Sequence, residues 1–364
     1  MNAARQLHDL GQSLWLDNIT RGLLVDGTLR RYIDELSVTG LTSNPTIFDH
    51  AIRNTRFYDD AIRSKAGEGK TREALFFELA LEDLTQAADL FRPVHDATGG
   101  VDGWVSMEVS PLLADDAAGT VREAAQLHAR AGRPNLFVKI PGTAAGVMAI
   151  EESIFAGVPI NVTLLFSPEQ YLAAAQAYQR GLERRIAARL DPHVASVASL
   201  FVSRWDVAVR DQVDPALHNR LGIAIAARTY RAYREVLGSS RWRALAAAGA
   251  PTQRLLWAST GTKDPAASDT LYVEALAAPD TIDTIPEKTL LALSDHGRPR
   301  GVLAADGGDA EATLAAFRKA GVDVAALATR LQREGAQSFD KSWSDLMDCI
   351  AIKSRVLQSV AAAR

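Results

Sequence analysis

Asn135-Leu136-Phe137-Val138-Lys139-Ile140-Pro141-Gly142-Thr143 is an apolar, β-favouring run that carries one lysine and is cut off at once by Pro-Gly. It reads as a buried strand with Lys139 close to its end. That is an unusual place for a cation. An unperturbed ammonium has a pKa of roughly 10.4, so near neutrality almost none of it is free amine. Burial favours the neutral form, and a neutral amine attacks carbonyl carbon to form a Schiff base. Taken alone, the same residue also reads as a strand-end lysine snorkelling to water or pairing with a carboxylate; the flanking chain decides between the two.

Upstream, Leu14-Trp15-Leu16-Asp17-Asn18-Ile19 is a short apolar strand with Asp17 in its second half. Helical spacing follows through Leu23, Leu29, Ile33 and Leu36, then Val38-Thr39-Gly40-Leu41-Thr42-Ser43-Asn44 returns to strand and breaks at Pro45. Residues 46–98 are mainly helical. Trp104-Val105-Ser106-Met107-Glu108-Val109 is a third strand ending in an acid, with Ser110-Pro111 as the N-cap and first residue of the next helical piece. Downstream of the lysine, Pro159 to Phe166 makes a fifth strand, and Ser167-Pro168-Glu169-Gln170 has the form of a capping box. Ala195 to Val202 is a sixth strand leading to Ser203-Arg204, Leu255 to Thr260 a seventh, and Thr281 to Ile285 a weaker eighth.

Eight strands alternating with helix-length crossovers predict a parallel (β/α)8 barrel rather than two domains. A doubly wound open sheet has similar strands, but the polar residues separate the two. Asp17, Asn44, Glu108, Lys139, Thr163, Ser199 and Ser259 lie in the second half or at the C-terminal end of successive strands. In a barrel that is one ring around one mouth. Residues 1–364 are therefore expected to form a single barrel domain, with about 300–364 an added helical segment packed on it, over the mouth or beside it. The Arg180 to Arg189 charge cluster reads as a solvated helix face.

Composition narrows the function. Hydrophobic residues make up 47% and charged residues 23% of the 364, as in an ordinary globular protein, and a net charge of -4 gives no reason to expect nucleic acid or an anionic membrane. Phosphate selectivity, if present, has to be local. Cys349 is the only cysteine, which suits a reducing compartment, and the first residues lack the basic and apolar regions of a leader; the cytoplasm is the expected location. Gly67-Glu68-Gly69-Lys70-Thr71 echoes the end of a phosphate loop, but Ser64 stands where glycine is required, so a turn between helices is expected. The seven histidines show no His-x-x-x-His spacing and no Gly-x-Gly-x-x-Gly follows a strand, so neither a protein-held metal nor any cofactor is expected.

A lysine ringed by two acids, two asparagines and several hydroxyls suits carbon-carbon bond chemistry through an imine, which draws electrons from the neighbouring bond and needs only proton shuttles and hydroxyl anchors. The chain here resembles the transaldolases of the pentose phosphate pathway. The resemblance is carried by Trp15-Leu16-Asp17, Thr42-Ser43-Asn44-Pro45, Met107-Glu108-Val109, Val138-Lys139, Asn161 to Ser167, and Ser199-Leu200-Phe201-Val202-Ser203-Arg204, in that order over most of the chain.

That resemblance implies a transferase acting on phosphorylated ketose and aldose sugars. Lys139 would attack the C2 ketone of sedoheptulose 7-phosphate or fructose 6-phosphate. Glu108 and Thr163 would hold the water that relays protons, and Asp17 would take the proton of the C4 hydroxyl as C3-C4 breaks. A dihydroxyacetone unit then waits on Lys139 for glyceraldehyde 3-phosphate or erythrose 4-phosphate. Asn44, Asn161 and Ser199 would bind its hydroxyls, with Phe201 and Ser259 beside them, and Arg204 would anchor phosphate. One departure stands out: many relatives have Ala-Ser-Phe-Arg after the seventh strand, and this chain has Ala258-Ser259-Thr260-Gly261-Thr262-Lys263. Lys263 is expected to replace the second phosphate-binding arginine, as a point charge rather than a bidentate fork. A homodimer is implied only by the family.

Two other functions stay open at this stage. A fructose 6-phosphate aldolase, which releases dihydroxyacetone to water, usually has glutamine where Glu108 stands, tyrosine where Phe201 stands, and a shorter chain. A sugar-phosphate-binding barrel without turnover would have no need of a desolvated amine.

Overall fold

In the computed structural model, which describes residues 2–66, 69–299 and 301–362, eight parallel strands close in sequential order into one barrel. They are β1 (Ser13–Leu16), β2 (Val38–Leu41), β3 (Val105–Glu108), β4 (Leu136–Pro141), β5 (Ile160–Leu165), β6 (Ser196–Phe201), β7 (Arg254–Ala258) and β8 (Thr281–Ile285), and β8 pairs with β1 to close the ring. Apart from half-buried Arg254, every strand residue is buried. The interior packs one strand face and the helices pack the other, so the strands read as apolar runs without alternation. The thinnest seam is β2 to β3, a single register pair, Leu41 with Val105, extended by Leu41 N–H donating to Trp104 O at 2.9 Å and Gly103 N–H to Thr39 O at 2.9 Å.

The end of the barrel away from the lysine is plugged. Asp102 accepts hydrogen bonds from Ser13 Oγ and, at 2.7 Å, from Trp15 Nε1, while Arg254 donates to Ser13 Oγ and to Thr281 O, both at 2.7 Å. Trp104 stacks on Phe137 with centroids 4.0 Å apart. Access to the interior is therefore from the C-terminal ends of the strands.

Boundaries moved by a few residues from the sequence expectation. Asp17 lies just past β1, Asn44 three residues past β2 and Ser259 just past β7, so these three stand on loops at the mouth rather than inside strands. Ser110 makes no side-chain cap for the short Pro111–Leu113 turn; its N–H donates to Glu123 at 2.5 Å instead. Ser167 Oγ accepts from Gln170 N–H at 3.2 Å as a capping box requires, but the returning Gln170 Oε1 accepts from Phe166 N–H at 2.7 Å, one residue earlier than the motif specifies. The arginine cluster is not merely solvated. Arg180 and Arg184 pair with Glu151 and Glu152 of the neighbouring Ala144–Ala156 helix, at 2.5, 3.2 and 2.6 Å. Gly67 and Glu68 lie outside the described residues; Thr71, at the end of that stretch, caps the Arg72–Ala97 helix by accepting from Ala74 N–H at 3.1 Å.

Past β8 come the helices Glu287–His296, Ala310–Lys319 and Val324–Ala362. The last is 39 residues long and runs across the mouth. Gln332 donates to Gly142 O and Leu164 O at 2.9 and 3.0 Å, Trp343 packs edge-on to Phe76 with centroids 5.2 Å apart, and Lys353 pairs with Asp59 at 2.8 Å.

Candidate active site

Strand register builds the centre of the site. Glu108 pairs with Lys139 across β3 and β4, and Lys139 with Asn161 across β4 and β5, so three polar residues stand side by side on the inward face. Lys139 is 6% exposed. Its Nζ donates to Ser43 O at 2.8 Å and reaches Glu108 Oε2 at 3.4 Å. Of the two alternatives to a nucleophile, snorkelling to solvent does not hold for this side chain, whereas pairing with a carboxylate does, through Glu108. Burial raises the Glu108 carboxyl above its ordinary value against the opposing charge of Lys139, and nearby Asp17 adds to the rise.

Asp17 faces the same space from the end of β1. Thr42 Oγ1 donates to Asp17 Oδ1 at 2.9 Å, which leaves Thr284 as the donor in the 2.6 Å contact between the two threonine hydroxyls. Burial raises the Asp17 carboxyl too, and Lys139, Thr42, Lys263 and Arg204 oppose it in that order. Asp17 makes no ion pair with Lys139 among the described residues; the amine's acidic neighbour is Glu108.

The remaining polar residues fall into three groups. Ser199 Oγ donates to Asn161 Oδ1 at 2.7 Å and Asn161 Nδ2 to Ser106 Oγ at 3.1 Å, a chain of amide and hydroxyls laid across β3, β5 and β6. Asn44 Oδ1 accepts from Ile47 N–H at 3.1 Å, so it does cap the Pro45–Asn54 helix, and its Nδ2 donors remain for the cavity it also lines. Thr163 Oγ1 is buried and makes no hydrogen bond to protein. It sits where β5 slips register against β6, between Val162 and Leu165, and the next residue, Leu164, is left-handed with φ +59°. A bulge of this kind re-aims a side chain, and it concentrates near active sites.

Asp17, Thr42, Asn44, Lys139, Thr163, Ser199, Phe201, Arg204, Ser259, Lys263, Thr284 and Phe339 line one cavity of about 130 Å³. Glu108 and Asn161 reach it through Lys139, Ser199 and the shared register. Three larger hollows, of about 690, 650 and 580 Å³, share none of these side chains. At the outer wall Arg204 stacks over Phe201 at 5.0 Å, and burial pulls its pKa down from the ordinary value while Asp17 opposes. Ser259, left-handed at φ +58°, shares a 2.9 Å hydroxyl contact with Ser203. Lys263 is exposed at the rim, with its Nζ beside Gly261. All eleven residues singled out in the sequence thus meet at one end of the barrel.

Others were missed. Thr42 and Ser43 lay inside a quoted motif, and Thr284 follows Ile282 at strand period, but Phe339 is 138 residues from Phe201 with no local signal. Among the described residues no group of three or more His, Cys, Asp or Glu is placed to hold a metal ion, and no helix is long and apolar enough to cross a membrane.

A closed parallel barrel with a buried amine beside a carboxyl at the C-terminal mouth defines an α/β-barrel of the lysine-imine, aldolase-like class. The chain matches the family described as transaldolase/fructose-6-phosphate aldolase over residues 14–350, and it belongs to that family. It is 44% identical to the transaldolase of Arthrobacter sp. (strain FB24), over 94% of this chain and 95% of that one. It is 43% identical to transaldolase 2 of Streptomyces coelicolor, over 95% of both, and 44% identical to the transaldolase of Thiobacillus denitrificans, over 95% and 99%.

Proposed function

We propose that this chain is a transaldolase, moving a dihydroxyacetone unit from sedoheptulose 7-phosphate to glyceraldehyde 3-phosphate through an imine on Lys139, in the cytoplasm and as a homodimer. The observation that carries the chemistry is the Lys139 amine, buried and 3.4 Å from a carboxyl whose own burial favours its protonated form. Glu108 takes one ammonium proton, the free amine adds to the C2 ketone, a second nitrogen proton passes to the C2 oxygen, and the proton held by Glu108 completes the water that leaves. Thr163, with its hydroxyl unspent on protein, is suited to hold the relaying water. The iminium then draws the electrons of the C3-C4 bond, Asp17 accepts the proton of the C4 hydroxyl, and an aldose phosphate departs. The enamine left on Lys139 adds to the incoming aldehyde by the reverse steps.

Phosphate selectivity has a local source. Lys139, Arg204 and Lys263 outnumber the two acids at the mouth, and the acids' raised pKa values weaken them further, so the cavity is cationic in a chain of net charge -4. Glu108 and Phe201 favour transfer over the aldolase alternative, in which glutamine and tyrosine are usual.

Incubation with fructose 6-phosphate and borohydride, followed by peptide mass analysis, tests the imine; a wild-type chain without a three-carbon adduct on Lys139 would leave a non-catalytic binder in its place. Omission of the acceptor tests the transferase: dihydroxyacetone freed as fast as it is transferred would make the chain an aldolase.

A further inference from the structure

Arg204 is held unlike the other partly buried arginines of this molecule. Arg21 has Glu82 and Asp83, and Arg254 has Ser13 Oγ and Thr281 O, whereas no hydrogen bond or ion pair holds Arg204 among the described residues. Two aromatic faces hold its guanidinium instead, Phe201 at 5.0 Å from β6 and Phe339 at 6.0 Å from the Val324–Ala362 helix. One helical turn before Phe339 stands Gly335. A Cβ built there would come 3.3 Å from Arg204 NH1 and 2.9 Å from Leu164 Cδ2, so the helix can approach only without a side chain at this position. Glycine inside a helix is the worst-tolerated residue after proline, and here the close approach accounts for it.

We propose that Phe339 and Gly335 position the Arg204 fork and so set the preference for phosphorylated over unphosphorylated sugars. The inference rests on the transaldolase reading for its substrates. An arginine fixed by aromatic faces keeps all five N–H donors for an anion, and a fork already oriented loses less freedom on binding than one swinging in water. Phe339 also lines the cavity, which makes the C-terminal helix one wall of the phosphate site as well as a cover.

The test compares kcat/KM for fructose 6-phosphate and for fructose, with one acceptor, in Phe339→Leu, which keeps apolar bulk and loses the ring. The ratio of the two should fall roughly fivefold to thirtyfold, the span from an exposed to a desolvated cation–π contact, through KM for the phosphorylated donor, and Phe339→Tyr should recover most of it. Gly335→Ala should lower the same ratio by pushing the fork aside, and it serves where Phe339→Leu does not fold. Equal losses with both donors would make Phe339 a water-excluding wall, and unchanged ratios in both variants would remove the helix from recognition; either result overturns the inference. Calorimetric titration with inorganic phosphate needs no imine. A wild-type chain that forms no Lys139 adduct but binds phosphate, more weakly as Phe339→Leu, would sink the catalytic reading and leave this one standing.

Discussion

At the scale of single residues, the proposed transfer begins with a proton passed between Glu108 and the Lys139 amine 3.4 Å away. A carboxyl raised by burial gives up its ionised form at higher pH than a solvated glutamate does. With Glu108 taking the ammonium proton and Asp17 the C4 proton only when ionised, kcat/KM is expected to fall on acidification with a midpoint above their ordinary values of 4.5 and 3.8, and Glu108→Gln should lose about a hundredfold in kcat and make that limb shallower, leaving the part Asp17 contributes. A pH-rate profile of the two proteins checks both. Thr163 separates structure from function more sharply. Its buried hydroxyl has no protein partner, so Thr163→Val removes an unpaired polar group and should hold or raise Tm, while a hydroxyl needed for the water relay makes kcat fall by about tenfold or more. A threonine present only as a β-former would leave kcat alone. Lys139, Asp17, Glu108 and Thr163 were legible because each is a polar residue in or beside a buried apolar run, where burial without purpose is costly. Phe201 was legible through the family motif and Phe339 not at all; nothing local says that a guanidinium lies between them.

Among the elements, β8 carries the least obvious charge. Thr284 lines the cavity, so Asp283 points to the opposite face, between barrel and helices. Thr260 Oγ1 donates to its Oδ1 at 2.8 Å, its Oδ2 is unpaired, and burial pushes its pKa up to about 7. An acid raised on folding binds more protons in the native state than in the unfolded chain, so its effect on stability is absent below its ordinary value of 3.8 and grows as a penalty up to about pH 7. That penalty is on the order of 4 kcal/mol at its limit. Asp283→Asn should therefore be more stable than wild type at pH 8 and close to it at pH 4, which urea unfolding at the two values measures. The barrel itself was readable because parallel strands covered on both faces make continuous apolar runs broken by Gly and Pro. Less readable were the strand ends, since loops at the mouth continue the same apolar texture, and the β5 bulge, since Leu164 is not a residue that advertises a left-handed backbone.

Over the whole molecule, the Val324–Ala362 helix covers the site. It is tied to β4 and β5 by Gln332, to the cavity by Phe339, to the aromatic cluster of Phe48, Phe76 and Phe77 by Trp343, and to the chain around residues 52–59 by Lys353. From sequence this segment was readable as helical and packed on the barrel, over the mouth or beside it; which of the two stayed open, because an amphipathic pattern says that a face is covered without saying by what. The cover matters to the outcome of the reaction. An enamine on Lys139 has two fates: addition to an aldehyde gives transfer, whereas a proton on carbon followed by water on the imine gives free dihydroxyacetone. Trp343→Ala opens the anchor nearest the middle of the helix; the residue lies outside the Lys139 cavity, though it shares a small hollow with Asn44 and Glu108. It should cost about 3–5 kcal/mol, as large aromatic truncations in a core do, and a folded but looser cover should admit water. With glyceraldehyde 3-phosphate saturating, the ratio of free dihydroxyacetone to transferred product should then rise several-fold over wild type at a temperature well below the variant's Tm. An unchanged ratio in a variant whose Tm has fallen would mean that the strand-end loops alone keep the enamine dry, and that the long helix contributes stability and phosphate binding but not the choice between transfer and hydrolysis.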